Sequence, residues 1–333
     1  MQSKTTFSGM LAGLEAAGEV TRLRLLALLA DAELTVSELT TILGQSQPRI
    51  SRHLKLLVEA GLIDRHREGA WAFFRVAEKG TGSDLVHDLI ERIDPTDPVL
   101  ADDRSRLGEV RRARADQAAR YFADHAAHWD HLRSLHVAED VVEAAILTAV
   151  GQGPFHAVLD LGTGTGRMLE ILAPLADRTV GIDQSPAMLN LARTRIERAG
   201  LKQVQLRQGD LYALPVERDG YDVVILHQVL HYLDDPVRAL REAARVLRPG
   251  GRLIVIDFAP HRHEFLRDQH AHRRLGFGPD EIAGYLRDAG LEVRAHRDLP
   301  ANKKTADALT VSLWVGQDPR LLSDLVSTTR EVA

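Results

Sequence analysis

The sequence predicts two domains of different fold class, an N-terminal winged helix-turn-helix and a C-terminal α/β domain with a doubly wound parallel sheet. The chain has 333 residues, which is more than one typical core needs. Short helical patterns and a basic hairpin occupy residues 1–93, whereas strand and helix patterns alternate over residues 138–333. Between them, Asp94-Pro95-Thr96-Asp97-Pro98 stops a helix, so we expect linker, lid or dimer helices over residues 94–137.

Composition excludes several function classes. The chain contains no cysteine, so disulfides, thiolate metal sites and cysteine nucleophiles are ruled out. Apolar residues make up 44% and charged residues 27%, as in ordinary soluble globular proteins. No apolar run has the length of a membrane span, so we expect a cytoplasmic protein without membrane contact. Because the net charge is −5, contact with nucleic acid requires a local basic patch.

Apolar spacing and capping residues predict the helix-turn-helix. Val20–Ala30 forms a strongly apolar helix that must be largely buried. Thr35 and Glu38 have the spacing of a capping box for a second, short helix, which ends at Leu43-Gly44. A third helix, over about Ser46–Ala60, begins with a capping residue and turns apolar side chains inward.

The outer face of the third helix is polar and mostly basic, and a basic hairpin follows it at Leu62–Arg67 and Trp71–Val76. Such side chains read base edges and hold phosphates in a major groove. A solvated polar face is the alternative, but the order of helix, turn, basic helix and hairpin favours DNA binding. The candidate DNA-binding residues are Gln45, Ser46, Gln47, Arg49, Ser51, Arg52, His53, Lys55, Arg65 and Arg67.

Two segments of this domain, Glu19–Leu26 and Ser46–Leu57, resemble the pattern of ArsR-type repressors. The resemblance implies a homodimer that pairs through terminal helices and binds a two-fold operator in double-stranded DNA. Arsenic-sensing members carry thiolates in the segment that matches Glu33–Leu39, where this chain has hydroxyl side chains instead. Other relatives bind zinc in the helix of Asp84 and His87, but here no second histidine pair follows at the needed spacing. We therefore expect no metal site here, and the signal must come from elsewhere in the chain.

A charged helix is predicted over Asp102–Leu135, with an arginine cluster that we interpret as a solvated face. Its second half carries an aromatic edge, which either packs the helix on the next domain or forms a lid over a ligand. The aromatic residues are Tyr121, Phe122, His128 and Trp129.

Alternating strands and helices in the last 180 residues or so predict a parallel doubly wound sheet. Ligands bind such sheets outside the carboxyl ends of the strands. Asp160, Asp183 and Gly209-Asp210-Leu211 follow the first three strands, and His227-Gln228 follows the fourth. The strand candidates are Val158–Asp160, Thr179–Ile182, Val204–Arg207, Val223–Leu226 and Leu253–Ile256, with helices over Met168–Leu175, Ala187–Ala199 and Val237–Leu247.

Glycine spacing after the first strand indicates which ligand binds. Gly162, Gly164 and Gly166 stand at alternate positions, unlike the G-x-G-x-x-G of dinucleotide sites. The nearby charges are acidic, so a pyrophosphate would be repelled and the amino group of an amino acid attracted. A nucleoside joined to an amino acid fits best, namely S-adenosylmethionine or S-adenosylhomocysteine; ordinary turns and caps are the alternative.

Four motifs of this domain resemble class I methyltransferases, namely Asp160–Gly166, Gly181–Ser185, Gly209-Asp210 and Leu247–Gly251, within His136–Val315. By that resemblance the first glycines line the methionine tail, the second acid holds the ribose and the third acid meets the adenine. It also implies an antiparallel sheet edge in Leu291–Arg297 and Ala308–Val315. The candidate cofactor-binding residues are Asp160, Gly162, Thr163, Gly164, Gly166, Asp183, Gln184, Met188, Gly209, Asp210, Leu211 and His227.

Two functions remain open from sequence. The joined architecture resembles regulators that sense S-adenosylhomocysteine and control methionine-cycle genes, with the nucleoside as effector. The alternative is an active methyltransferase of unknown acceptor that carries a DNA-binding head. His227 and His231 are the candidate catalytic bases. We expect four further histidines to line an acceptor pocket rather than a metal site, because two His-x-His pairs on opposite helix faces converge poorly. They are His261, His263, His270 and His272.

Overall fold

A computed structural model describes residues 5–68, 71–77, 80–125, 139–299 and 309–320 of the chain. Side chains at 66–68, 71, 114, 115, 117–119, 121 and 125 lie outside the description. The chain divides into two compact units, Met1–Asp116 and Gln117–Ala333. None of the helices in the described ranges is long and apolar enough to cross a membrane.

The N-terminal unit is a winged helix-turn-helix. Its three-stranded antiparallel sheet has the order β1-β3-β2. Leu25, Leu39, Ile50 and Leu54 form the centre of its core and are almost fully buried. Its elements are α1 Phe7–Ala17, α2 Val20–Asp31, β1 Leu34–Thr35, α3 Val36–Leu43, α4 Gln47–Glu59, β2 Ile63–Glu68, β3 Trp71–Val76, α5 Thr81–Glu91 and the first part of α6 Pro98–His125.

Local capping sets the turn between α3 and α4. The Glu38 N–H donates to Thr35 Oγ1 at 3.3 Å, and the Thr35 N–H donates to Glu38 Oε2 at 2.9 Å, which confirms the predicted capping box. Gly44 ends α3 in the left-handed region with φ 64°, where glycine has no steric cost. Ser46 stands at the N-cap of α4, but its hydroxyl makes no capping hydrogen bond.

The first part of α6 packs against helices of the helix-turn-helix domain. Arg24 of α2 donates to both oxygens of Asp103 at 2.7 and 2.6 Å, and Asp103 is only 1% exposed. Arg106 donates to the Ile42 carbonyl at 3.1 Å, and Arg111 donates to the Asp31 carbonyl at 2.7 Å. Arg111 thus caps the carboxyl end of α2 through an exposed hydrogen bond.

The C-terminal unit is built on a seven-stranded sheet with the order β6-β5-β4-β7-β8-β10-β9. Strands β4 to β8 run parallel, and β10 is antiparallel to both β8 and β9. The strands are β4 Phe155–Leu161, β5 Ala176–Asp183, β6 Val204–Gln208, β7 Tyr221–His227, β8 Leu247–Phe258, β9 Glu292–Leu299 and β10 Val311–Gln317. The helices are α7 Glu139–Val150, α8 Arg167–Leu172, α9 Pro186–Arg198, α10 Pro236–Arg245, α11 Phe265–His270 and α12 Pro279–Asp288, with 3-10 turns at Ala173–Leu175 and Leu230–Tyr232.

Two buried apolar clusters pack against this sheet. The central strands β4, β7 and β8 contribute almost continuous apolar runs, as expected for strands that are covered on both faces. Trp314 of β10 is fully buried and anchors the antiparallel edge. The carboxyl ends of β4 to β8 therefore meet at one edge, where the candidate ligand-binding residues were predicted.

Candidate functional site

The glycine loop after β4 requires glycine at its first position. Gly162, Gly164 and Gly166 have φ of 71°, 52° and 84°. A Cβ on Gly162 would lie 2.5 Å from Cγ2 of Val229, which is closer than real Cβ contacts allow. The loop thus packs its bare main chain against the segment that follows β7. Because these glycines carry no side chain, a ligand can approach the main chain of the loop closely.

Asp160 stabilises this loop through a buried hydrogen bond. The Thr163 hydroxyl donates to Asp160 Oδ2 at 2.5 Å, and both residues are buried. The Gly162 and Thr163 N–H groups donate to the Ile182 carbonyl at 2.8 and 3.0 Å. Asp160 is 1% exposed, so its carboxylate holds the loop in shape and contributes negative potential rather than an open ligand surface.

Asp183 links the glycine loop to the end of β5. Its Oδ2 accepts from the Gly164 N–H and its Oδ1 accepts from the Ser185 N–H, each at 2.8 Å. Burial raises the pKa of this carboxyl, and the main-chain N–H groups of Ser185, Gly164 and Gln184 oppose that shift. Because each carboxylate oxygen has a second lone pair, Asp183 can still accept from two ribose hydroxyls.

The turn after β6 lies beside the same strand end. The Gly209 N–H donates to the Asp183 carbonyl at 3.1 Å. Asp210 is exposed, and its Oδ1 accepts from the Tyr212 N–H at 2.9 Å, while Leu211 is buried. Gln184 is exposed and Met188 is buried at the start of α9. The structure thus brings the acids after β5 and β6 to one edge, next to the glycine loop.

The histidines that the sequence singled out after β7 and β8 make contacts with one another and with Asp257 that it did not predict. His231 Nδ1 lies 2.7 Å from Asp257 Oδ1. His272 packs 4.2 Å from His231, measured between ring centroids, and His261 lies 5.9 Å from Phe258. Only Phe265–His270 is helical in this segment, so the expectation of two pairs on opposite faces of one helix is wrong. His227 is partly buried at the end of β7.

No group of three or more histidine or acidic side chains within the described ranges could hold a metal ion. His87, one of the residues weighed for zinc, has its Nδ1 2.8 Å from the Ser83 carbonyl, to which it donates. Among the described histidines that follow β7 and β8, His231 packs on His272 at 4.2 Å and His261 on His263 at 5.4 Å between ring centroids.

Acid should destabilise the C-terminal unit through His261. Burial lowers the pKa of His261 from 6.5 to about 4. The folded unit therefore binds fewer protons than the unfolded chain between these values, so its stability is full above pH 6.5 and falls as pH drops toward 4. From pH 7 to pH 5 this residue should cost about 2 kcal/mol. Urea unfolding of His261→Gln should show a drop smaller by that amount, and an equal drop in both proteins would contradict the assignment.

The exposed face of α4 carries most of the candidate DNA-binding residues of the N-terminal unit. Ser46, Gln47, Arg49, Ser51, Arg52 and Lys55 are exposed on α4 or at its N-cap, and Arg65 is exposed on β2. Arg67 lies on β2 with its side chain outside the described residues.

Two candidates turn away from this face. His53 is mostly buried, with Nδ1 3.6 Å from Glu19 Oε2, and burial lowers its pKa. Gln45 is half-buried and donates to Thr21 Oγ1 at 3.3 Å. Both residues therefore brace α4 against α2, because their positions face the core rather than the groove side of the helix.

The two units define two classes of domain. A sheet of this order, with a glycine loop after β4 and acids after β5 and β6, is the fold of S-adenosylmethionine-dependent methyltransferases, and the N-terminal unit is a winged helix-turn-helix. Residues 159–255 match the family model described as a methyltransferase domain. Residues 19–65 match the family model of bacterial regulatory proteins of the arsR family. The chain thus joins an ArsR-type helix-turn-helix to a methyltransferase domain.

Curated relatives match parts of this chain, among them a methyltransferase. The chain is 38% identical to an uncharacterized 37.1 kDa transposon protein of Streptomyces fradiae, over 40% of this chain and 38% of that protein. It is 42% identical to demethylmenaquinone methyltransferase of Thermus thermophilus, over 31% of this chain and 47% of that enzyme. The chain thus spans less than half the length of these curated relatives.

A solved structure agrees in fold. A chain of the complex between the Haloferax volcanii Trm112 methyltransferase activator and a candidate methyltransferase is 25% identical, with a TM-score of 0.50. The match covers 60% of this chain and 98% of that chain.

Proposed function

We propose that the chain is a DNA-binding transcriptional regulator whose methyltransferase domain binds S-adenosylhomocysteine or S-adenosylmethionine as an effector. One observation carries this proposal. The same chain has an exposed basic face on α4, with Arg49, Arg52 and Lys55, and the proposed nucleoside site at the carboxyl ends of the parallel strands. The proposed targets are genes of the methionine and S-adenosylmethionine cycle, since a regulator of those genes gains from reading their nucleosides.

The residues at the sheet edge fit such a nucleoside. Asp183 accepts from the ribose hydroxyls, and the main chain of Gly162 and Gly164 lines the amino-acid tail. Asp210 and the Leu211 N–H meet the adenine edge. The acidic surroundings favour the ammonium group of the tail over a phosphate. When bound as S-adenosylmethionine, the ligand supplies an electrophilic methyl group.

Helix α6 is proposed to carry the signal. Within the N-terminal unit it is tied to α2 through the Arg24–Asp103 pair and the Arg111–Asp31 hydrogen bond, and to α3 through the Arg106–Ile42 hydrogen bond. A change in the direction or order of α6 therefore alters the spacing of two α4 helices across a dimer. A coupling of about 1 to 3 kcal/mol corresponds to a change of roughly 5- to 150-fold in operator affinity.

The proposed homodimer pairs through α1. This helix exposes a row of apolar side chains, with Phe7 86%, Leu11 46% and Leu14 45% exposed. Leu11→Glu should give a monomer in sedimentation and weaken operator binding at least tenfold, because the charge would be buried against the partner. Leu147→Glu is the matched control, since Leu147 of α7 is 39% exposed in the other unit. A dimer that persists in Leu11→Glu would refute this interface.

Arg52→Ala tests the DNA-binding face. Arg52 is exposed on α4, so we expect weaker operator binding and a slope of log K against log salt that is smaller by about 1. Fluorescence anisotropy with a labelled operator at several salt concentrations measures both. Arg198→Ala removes an exposed arginine of α9 and should change neither quantity. An unchanged slope in Arg52→Ala would mean that this side chain does not contact a phosphate.

A second candidate function is methyl transfer by the same site to an acceptor. The buried pair of His231 and Asp257, at the same end of the sheet as the proposed nucleoside site, favours this function. The two functions are compatible, because a regulator that binds S-adenosylmethionine can also use it. The test is whether the full chain transfers a radiolabelled methyl group at all.

A further inference from the structure

His231 and Asp257 form a buried pair at the carboxyl ends of two neighbouring strands. Asp257 is the penultimate residue of β8, and His231 lies in the 3-10 turn after β7. The side chains of His231 and Asp257 are 1% and 0% exposed, and His231 Nδ1 is 2.7 Å from Asp257 Oδ1. Strand ends of this kind are where a doubly wound sheet holds its reacting groups.

Hydrogen bonding sets which ring nitrogen of His231 is basic. Asp257 also accepts from the Phe258 N–H at 2.8 Å and from the His231 N–H at 3.3 Å. Because a carboxylate only accepts, Nδ1 carries the proton of the neutral ring and Nε2 keeps a lone pair. Nε2 is buried and has no hydrogen-bond partner within the described residues. A buried acceptor without a partner is costly unless a ligand satisfies it.

The segment that carries His231 lies against the glycine loop. Val229, two residues before His231, packs on Gly162 so closely that a Cβ there would lie 2.5 Å away. The rings of Tyr232, His272 and Phe258 surround the imidazole at 4.0, 4.2 and 5.0 Å between centroids. Aromatic rings that pack on the imidazole, next to the loop proposed for the methionine tail, favour a planar and mainly apolar acceptor.

We propose that His231 is a catalytic general base for methyl transfer to a phenolic hydroxyl, and that Asp257 is its positioning residue. This inference rests on the nucleoside site proposed above. The acceptor oxygen bonds to the methyl carbon while the carbon–sulfur bond breaks, with its electron pair going to sulfur. The hydroxyl proton passes to His231 Nε2, and Asp257 stabilises the imidazolium until the proton leaves to solvent.

The charges around the pair are compatible with this role. Burial lowers the pKa of His272 well below its ordinary value and that of His261 to about 4, so both stay neutral at pH 7. The other charged or titratable groups that act on these rings are His263, His270 and Arg267. The negative charge that faces the imidazole directly is that of Asp257.

The first test is the state of the ring in the full chain. Two-dimensional ¹H–¹⁵N NMR of labelled histidines should show His231 protonated on Nδ1, with its signals identified by their loss in His231→Asn. Asp257→Asn should shift the proton to Nε2, since the amide can donate to Nδ1. A ring protonated on Nε2 in the unmodified protein would overturn the proposal.

The second test is transfer from tritiated S-adenosylmethionine to phenol, catechol and hydroquinone. His231→Asn should lower the rate by about 10² to 10⁴-fold and leave nucleoside affinity unchanged by calorimetry. His296→Asn is the matched control, because His296 pairs with Asp298 at 3.2 Å on the sheet edge. The residual rate of His231→Asn should follow phenolate and rise about tenfold per pH unit below pH 10, near the pKa of a phenol.

The outcomes separate the two proposals. The proposal that His231 is the base is overturned if the unmodified protein binds a nucleoside but transfers no methyl group, or if His231→Asn transfers it at an undiminished rate. Either result leaves the effector proposal standing. Failure to bind either nucleoside overturns the proposed function itself. Asp257→Asn provides a second variant if His231→Asn does not fold, and its rate should fall together with the change of tautomer.

Discussion

Asp183→Ala is expected to weaken nucleoside binding at least a hundredfold and to leave operator binding intact. The substitution removes the proposed acceptor of two ribose hydroxyls, and hydrogen bonds to a charged group contribute about 1.5 to 3 kcal/mol each. It also removes the acceptor for the Gly164 and Ser185 N–H groups, which loosens the glycine loop. Isothermal titration of the full chain with each nucleoside measures the loss.

The matched control for this experiment is Asp177→Ala. Asp177 lies on the same strand, β5, but near its amino end and exposed to solvent. It should leave nucleoside affinity unchanged. If Asp183→Ala still bound either nucleoside with micromolar affinity, Asp183 would not hold the ribose. The proposed orientation of the ligand would then also be wrong.

Gly162→Ala is expected to destabilise the C-terminal unit and abolish nucleoside binding. A left-handed residue with φ 71° costs about 1 to 2 kcal/mol for an L side chain, and the clash with Val229 at 2.5 Å adds about 1 to 3 kcal/mol. Gly200→Ala is the control, because Gly200 has φ 67° and no atom of the described residues lies within 4 Å of the position that a Cβ would take there. Urea unfolding should show the larger loss at Gly162, and equal losses would refute the close packing of the loop.

Much of the fold follows from local patterns in the sequence. Thr35 with Glu38 marks the start of α3 to the residue, and the apolar runs that end in acids locate β4 and β5. Helix α7 was missed, although Val142, Ile146 and Val150 repeat at helical spacing and are buried. Strand β1 has two residues, too few for any periodic signal. The position of β10 between β8 and β9 depends on tertiary pairing, which spacing does not encode.

Sequence analysis predicted correctly those site residues whose position depends only on where a single strand ends. Asp183 and Asp210 lie at the expected edge, whereas Asp160 is buried beneath the loop, because its partner Thr163 folds back over it. Asp257 was missed, yet the same rule applies, since an acid follows the apolar run of β8. The contact of His231 with His272 joins segments about forty residues apart, and no local pattern signals it.

The central claim is that nucleoside binding in one unit changes DNA binding by the other. Its direct test uses operator duplexes that the full chain itself selects from random sequences, with affinity measured by fluorescence anisotropy at fixed salt. Saturating S-adenosylhomocysteine or S-adenosylmethionine should change operator affinity by roughly 5- to 150-fold, and Asp183→Ala should abolish the change. Equal operator affinity with and without both nucleosides, at concentrations where calorimetry shows the site to be filled, would contradict the account.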